Sequence, residues 1–178
     1  LLREGVPLEE TLGSFITELP EALGAVTLGR ALDMTGALPD MMEALWQQGT
    51  PFTASLSAGE IFAAACRLPS LNAEPGTEMA YSNTGWRLAQ AVLEQHGGES
   101  YARQVEGLMV PLRLPIRFVR DESEVVDGLA TGYWREGDAW RRGRYGFNFS
   151  GSGGMAGSAA ALARWACALL AGREPLAG

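Results

Sequence analysis

Tyr81, Ser82 and Asn83 stand consecutively in the stretch Glu74-Pro75-Gly76-Thr77-Glu78-Met79-Ala80-Tyr81-Ser82-Asn83-Thr84-Gly85-Trp86. A phenol with a pKa near ~10 is protonated at neutral pH, and it takes up a proton only where cations favour its ionised form. A serine hydroxyl is a weak nucleophile until a base removes its proton. Ser82 has no Lys to help it, because the chain contains none, and no suitably placed His. It is therefore not read as a nucleophile. Tyr81 fits two descriptions on the residues alone: a chemically active side chain, or a helix-start aromatic packed on the core.

The elements around the trio favour a side chain that is held and aimed. Pro75-Gly76 makes a turn, since Pro fixes φ and Gly takes conformations that other residues resist. Gly85, Trp86, Ala89, Val92, Leu93 and His96 recur at helical spacing and predict one buried face. Ser82 or Asn83 would cap that helix, and Gly97-Gly98 would end it. Tyr81 then sits just ahead of a rigid helix N-terminus.

Other residues that could do chemistry have plainer explanations. Glu43 and Glu60 belong to the capping-box patterns Asp40-x-x-Glu43 and Ser57-x-x-Glu60, which start helices ending near Gly49 and Pro69. His96 lies at a helix end, where the dipole favours it. Cys66 and Cys167, each in an Ala-rich helical pattern, are read as small buried hydrophobes. The run Gly151-Ser152-Gly153-Gly154 fits neither dinucleotide-binding nor P-loop glycine spacing. One His and two distant Cys do not make the usual zinc patterns, so no metal and no cofactor is expected.

Composition narrows the classes further. The chain has 178 residues, 47% hydrophobic and 20% charged, which suits one folded domain with a sizeable core. A net charge of −7 argues against nucleic acid as a partner. No apolar run is long enough for a membrane span. The first residue is Leu1 rather than Met and no signal peptide is visible, so the chain is expected to be cut from something longer. All 14 basic residues are Arg, which fits a GC-rich bacterial gene and names no compartment.

The remaining chain is mainly helical. Pro7 to Leu19 is short and amphipathic, and Thr27 caps a helix that Thr35-Gly36 ends. Ile61, Phe62, Ala65 and Leu68 line one face of the helix begun at Ser57. Ser100 caps another helix, with Tyr101, Val105, Leu108 and Met109 inward, stopped by Pro111 and Pro115. Leu112 to Asp127 predicts loop with one short strand. Leu129 to Arg142 predicts a hairpin turning at Glu136-Gly137-Asp138, with Trp134 and Trp140 as a cross-strand pair or a substrate wall. Ser158 caps a last helix with Leu162, Trp165, Ala166 and Leu169 inward.

Pro75-Gly76-Thr77, then Tyr81-Ser82-Asn83, then Gly85-Trp86 resembles the middle of the serine β-lactamase-like hydrolases. That family includes class C β-lactamases, D-alanyl-D-alanine carboxypeptidases, D-aminopeptidases and related esterases. Its chemistry uses Ser-x-x-Lys, Tyr-x-Asn, and Lys-Thr-Gly or His-x-Gly; Tyr81 and Asn83 match the second. Gly5-Val6-Pro7-Leu8-Glu9-Glu10 resembles the segment that follows the nucleophile helix. Val26 to Asp40 is similar to the family's Leu-Leu-Thr-His-Thr-Ser-Gly-Leu-Pro-Asp, with Met34 in place of His and Gly36-Ala37 in place of Ser-Gly. Gly132-Tyr133 and Gly153-Gly154-Met155 match later segments, although Ala161 replaces an Asp that would complete a capping box, costing about 0.5–1 kcal/mol.

The resemblance implies a mainly α chain with a minor β-hairpin component: the helical lobe and adjoining part of the β-lactamase/transpeptidase-like α/β fold. Residues 1–178 would be an incomplete serine hydrolase domain, with the Ser-x-x-Lys segment just before Leu1 and further strands after Gly178. It implies acylation of a serine by a β-lactam, D-amino-acid peptide or ester. Tyr81 would be the base and later the acid, and Asn83 would place the substrate amide and the lysine. Ser82, Trp134, Ser152, Gly153 and Gly154 are candidate substrate-binding positions. The 178-residue chain alone would be inactive, and its cut faces could favour self-association. The rival is a catalytically inert homologue that binds peptides or proteins in the old cleft.

Overall fold

Local capping chemistry sets where most helices of the first half begin. In the computed structural model, which describes residues 5–51, 53–119, 124–143 and 151–172, Thr27 accepts from the Arg30 N–H and opens α2, Leu28–Leu32. Asp40 accepts from the Met42 and Glu43 N–H groups and opens α3, Met41–Gln47. Ser82 accepts from the Thr84 N–H and opens α5, Asn83–Gly97, which closes on Gly98 at φ +66°. The short α1, Glu21–Gly24, and α4, Ala58–Cys66, complete these helices.

The chain divides into two compact units. The first comprises the described residues of Leu1–Thr50, Ala58–Tyr101 and Ser150–Ser152. It holds α1 to α5, with α2, α3 and α4 all packed on α5. Its core includes Leu12, Leu23, Leu28, Met41, Ile61, Leu88 and Val92, all buried. Pro7 to Leu19 forms turns and one 3-10 turn, Leu12–Ser14, rather than a longer helix. The segment is tied to α2 by main-chain bonds: Leu28 N to Glu10 O at 2.9 Å and Gly29 N to Leu8 O at 2.8 Å.

Two expectations about helices in this unit are corrected. α2 ends at Leu32, and the left-handed residue beyond it is Met34 at φ +65°, ahead of the expected Thr35-Gly36. Gly36 is instead needed for space, because a Cβ there would lie 2.7 Å from Val26 Cγ1. In α5 the buried set is Thr84, Gly85, Arg87, Leu88, Ala89, Gln90 and Val92; Trp86 and His96 are exposed and Leu93 is half-buried. The stripe is turned because polar Arg87 and Gln90 find partners inside.

Gln90 accepts from the Gly151 N–H at 2.7 Å and donates to Glu94 at 3.1 Å. Arg87 donates to Ala58 O at 2.9 Å, and its guanidinium lies 5.2 Å from the centre of the Phe62 ring. Its Nε and Nη1 are buried with no hydrogen-bond partner among the described residues. Burial pushes the Arg87 pKa down, with Glu94 opposing. A guanidinium so placed costs desolvation that one bond and one ring offset only in part. Arg87→Met, which keeps the length and packs on Phe62, is expected to raise the thermal midpoint by roughly 2–4 °C, about 1 kcal/mol. A fall in midpoint would show that the charge stabilises the α4–α5 contact.

The second unit comprises the described residues of Pro51–Ser57, Ala102–Phe149 and Gly153–Gly178. Most of α6, Tyr101–Met109, belongs to it. It also holds two antiparallel two-stranded sheets. β1, Arg117–Phe118, pairs with β4, Met155–Ala156, a strand with no counterpart in the sequence reading. β2, Tyr133–Glu136, and β3, Ala139–Arg142, form the expected hairpin, turning at Gly137 with φ +59°.

The register corrects the tryptophan pairing. Trp134 faces Arg141 and Trp140 faces Arg135, so the two indoles lie on opposite faces of the hairpin. In α6, Ala102 and Met109 are the buried residues, while Tyr101, Val105 and Leu108 are half-buried. α7, Ala159–Leu170, is capped by Ser158 as expected, but its inward residues are Ala161 and Ala168. These lie seven apart, two helical turns on one stripe. Leu162 and Leu169 are exposed, Trp165 and Ala166 half-buried. Leu162 and Trp165 join Met109, Ile116 and Met155 around an apolar hollow of about 270 Å³.

The cysteine expectation also changes. Cys66 is half-buried, and burial pushes its thiol pKa up; Cys167 is exposed beside the alanine stripe of α7. The fold is mostly helical with two small antiparallel sheets. No helix among the described residues is long and apolar enough to cross a membrane.

Candidate active site

Tyr81 arrives at the mouth of α5 on a strap of backbone bonds. Asn72 N donates to Ala37 O at 2.9 Å, Gly76 N to Thr35 O at 2.8 Å, and Ala80 N to Met34 O at 3.0 Å. The strap therefore lies along the loop that leaves α2. That loop carries Met34 and Ala37 at φ +65° and +54°, conformations that cost a residue with a Cβ about 1–2 kcal/mol each. Gly76 takes φ +87° beneath the Arg30 guanidinium. Turn and strap together bring residues 74–80 past α2 and release the chain at Tyr81.

Tyr81 is 68% exposed, and its hydroxyl is not sealed in the core. It donates to Asn83 Oδ1 at 3.1 Å. Asn83, half-buried, donates from Nδ2 to Asp40 Oδ2 at 2.7 Å, and its backbone N–H donates to the same oxygen at 2.9 Å. The other Asp40 oxygen holds the Met42 N–H at 2.7 Å and the Glu43 N–H at 3.3 Å. One buried carboxylate thus serves the N-termini of both α3 and α5.

Ser82 is buried and bonds other partners. Its Oγ donates to Pro39 O at 3.2 Å and accepts from the Thr84 N–H at 3.2 Å. Thr84 repeats the link, donating to Pro39 O at 2.6 Å and accepting from the Met41 N–H at 2.9 Å. Ser82 is occupied as a helix cap and a loop clasp.

Tyr81 and Asn83 are brought together, and Asp40 joins them. From the sequence, Asp40 is a helix cap and the end of the Leu38-Pro39-Asp40 match. Its bonds to Asn83, 43 residues on, leave no local sign in the sequence. Of the other candidates, Ser152 lies in the first unit, next to Gly151. A Cβ on Gly151 would lie 2.5 Å from Trp86 O, so glycine is required there for the chain to touch α5. Gly153 and Gly154 lie in the second unit, where Gly154 O accepts from the Val119 N–H at 2.9 Å. Trp134 is half-buried on the hairpin of that unit, its indole over Gly143. Among the described residues, no cluster of three or more His, Cys, Asp or Glu could hold a metal ion.

Solved structures share the fold. A D-stereospecific amidohydrolase from Streptomyces sp. matches with a TM-score of 0.83 at 20% identity, covering 97% of this chain and 56% of that one. The octameric penicillin-binding protein homologue from Pyrococcus abyssi matches at 0.78 and 21% identity, over 95% of this chain and 40% of that one. A D-amino acid amidase from Ochrobactrum anthropi SV3 matches at 0.77 and 24%, over 97% and 50%. The chain thus spans about half the length of these structures. No curated protein matches it significantly. The Beta-lactamase family model matches residues 1–178, the whole chain, and the chain belongs to that family of serine hydrolases.

Proposed function

We propose that residues 1–178 form part of a serine hydrolase that works through an acyl-enzyme on β-lactam, D-amino-acid peptide or ester substrates. The observation that carries this reading is the exposed Tyr81 hydroxyl held against Asn83 at the N-terminus of α5. A phenol fixed there is open to substrate and to a neighbouring cation, the two things a tyrosine needs to act as base and then acid. The nucleophilic serine and its lysine belong, in this proposal, to a Ser-x-x-Lys segment ahead of residue 1. The domain is completed by strands after residue 178. Family membership and the amidase likeness support the reaction class. Asn83 positions the scissile amide, with Ser152 of the same unit as a substrate-binding position. The exposed Leu162, Leu169 and Leu170 of α7 favour self-association of the 178-residue chain.

A fluorescent penicillin and a fluorophosphonate probe test this. The 178-residue chain is expected to form no covalent adduct. The same chain supplied with its Ser-x-x-Lys segment is expected to be labelled on that serine. Labelling of the short chain would overturn the assignment of the nucleophile. Non-covalent peptide binding by the complete protein, with no acylation by any probe, would replace the enzyme with a binding module.

A further inference from the structure

From the row of bonds at the mouth of α5 we infer that Asp40 is a positioning residue: its carboxylate sets which end of the Asn83 amide faces Tyr81. An ionised carboxylate only accepts hydrogen bonds, so the group it holds at 2.7 Å must be the Asn83 NH2. The amide oxygen is thereby turned to the Tyr81 hydroxyl, 3.1 Å away. Free to rotate, an asparagine amide could present either end. Asp40 removes that choice, and it can do so because it is itself fixed. It is buried, and three backbone N–H groups from two helix starts hold its oxygens. A second pair of bonds, through Thr84 and Pro39, locks the same two helix starts together, so the carboxylate cannot swing away. A helix cap alone needs only one oxygen; here the second is spent on Asn83.

The catalytic part of this inference rests on the hydrolase reading, whereas the orientation part does not. Asp40→Asn keeps the size and the capping oxygen but replaces the second oxygen with a donor, which then opposes the donors of Asn83. In nuclear magnetic resonance of the wild-type chain, the Asn83 side-chain NH2 is expected to be shifted and slow to exchange with solvent. In the variant it is expected to move and to exchange faster. In the complete protein, acylation of a D-amino-acid amide is expected to fall about 10- to 100-fold in kcat with KM little changed. Asp40→Ser, which also caps, is expected to lose activity likewise while α3 stays folded by circular dichroism. Free exchange of the wild-type Asn83 NH2 would overturn the inference without any variant. So would full turnover in Asp40→Asn once the NH2 signal has moved. A wild-type complete protein that acylates nothing would instead strike the hydrolase reading and leave the orientation result standing.

Discussion

Tyr81→Phe is expected to lower acylation by the complete protein about 10²- to 10⁴-fold, the usual contribution of one positioned proton-transfer group. The change removes a single oxygen. Because Tyr81 is 68% exposed and its hydroxyl bonds only Asn83 among the described residues, little packing goes with it. The thermal stability of the variant is expected to stay within about 0.5 kcal/mol of wild type. That contrast gives the experiment its power: a large kinetic loss with an unmoved melting curve separates chemistry from folding. The loss should fall on kcat, since the proton is handled in the reacting state and not in the encounter. Measurement of single-turnover acylation alongside a melting curve checks both halves. Near-wild-type turnover in Tyr81→Phe would remove Tyr81 from the chemistry.

Gly85→Ala should be the most damaging small substitution in the first unit. A Cβ at position 85 would lie 2.1 Å from Ala31 O and 2.8 Å from the Ala31 carbonyl carbon. Those are main-chain atoms of α2, so no side chain can turn aside to make room. Nor is α2 free to retreat, since Leu28 and Gly29 are bonded to Glu10 and Leu8. Overpacking of this kind costs about 1–3 kcal/mol and occasionally more. Helix propensity would return at most about 1 kcal/mol for Gly to Ala. At 2.1 Å from a main-chain oxygen the steric term stands at the upper end of that range, for a net loss of about 2 kcal/mol and a fall in thermal midpoint of about 4–8 °C. Gly107→Ala is the control. It is also a helical glycine, in α6, yet nothing lies within 4 Å of its added Cβ. It is expected to be neutral or to stabilise by about 0.5–1 kcal/mol. If both variants melt like wild type, α2 and α5 are not in the close contact described.

The legibility of this chain follows the range of the forces involved. Thr27, Asp40, Ser82 and Ser158 cap helices as their sequence neighbourhoods indicate, because a cap bonds N–H groups two or three residues away. The Gly137 turn is equally local. Buried faces were harder, because they depend on what packs there. Trp86 and Arg87 show this most directly: the aromatic is exposed and the cation is inside, since Arg87 reaches Ala58 O and the Phe62 ring on another helix. On α7 the buried residues are the small Ala161 and Ala168, while Leu162 and Leu169 are exposed. Strand register, which separates Trp134 from Trp140, depends on a turn one residue shorter or longer. At the site, Tyr81 and Asn83 were legible as a motif. Asp40 was legible only in its lesser role, because its partner lies 43 residues along the chain.

That separation bears on how the site comes into being during folding. A peptide spanning residues 74–98 would carry every letter of the motif and the whole of α5, yet its asparagine would have no distant anion to meet. Closing a span of this length is an entropic step that only the collapsed lobe repays. The tyrosine–asparagine geometry is therefore acquired together with the tertiary structure and cannot be moved to another scaffold as a short graft.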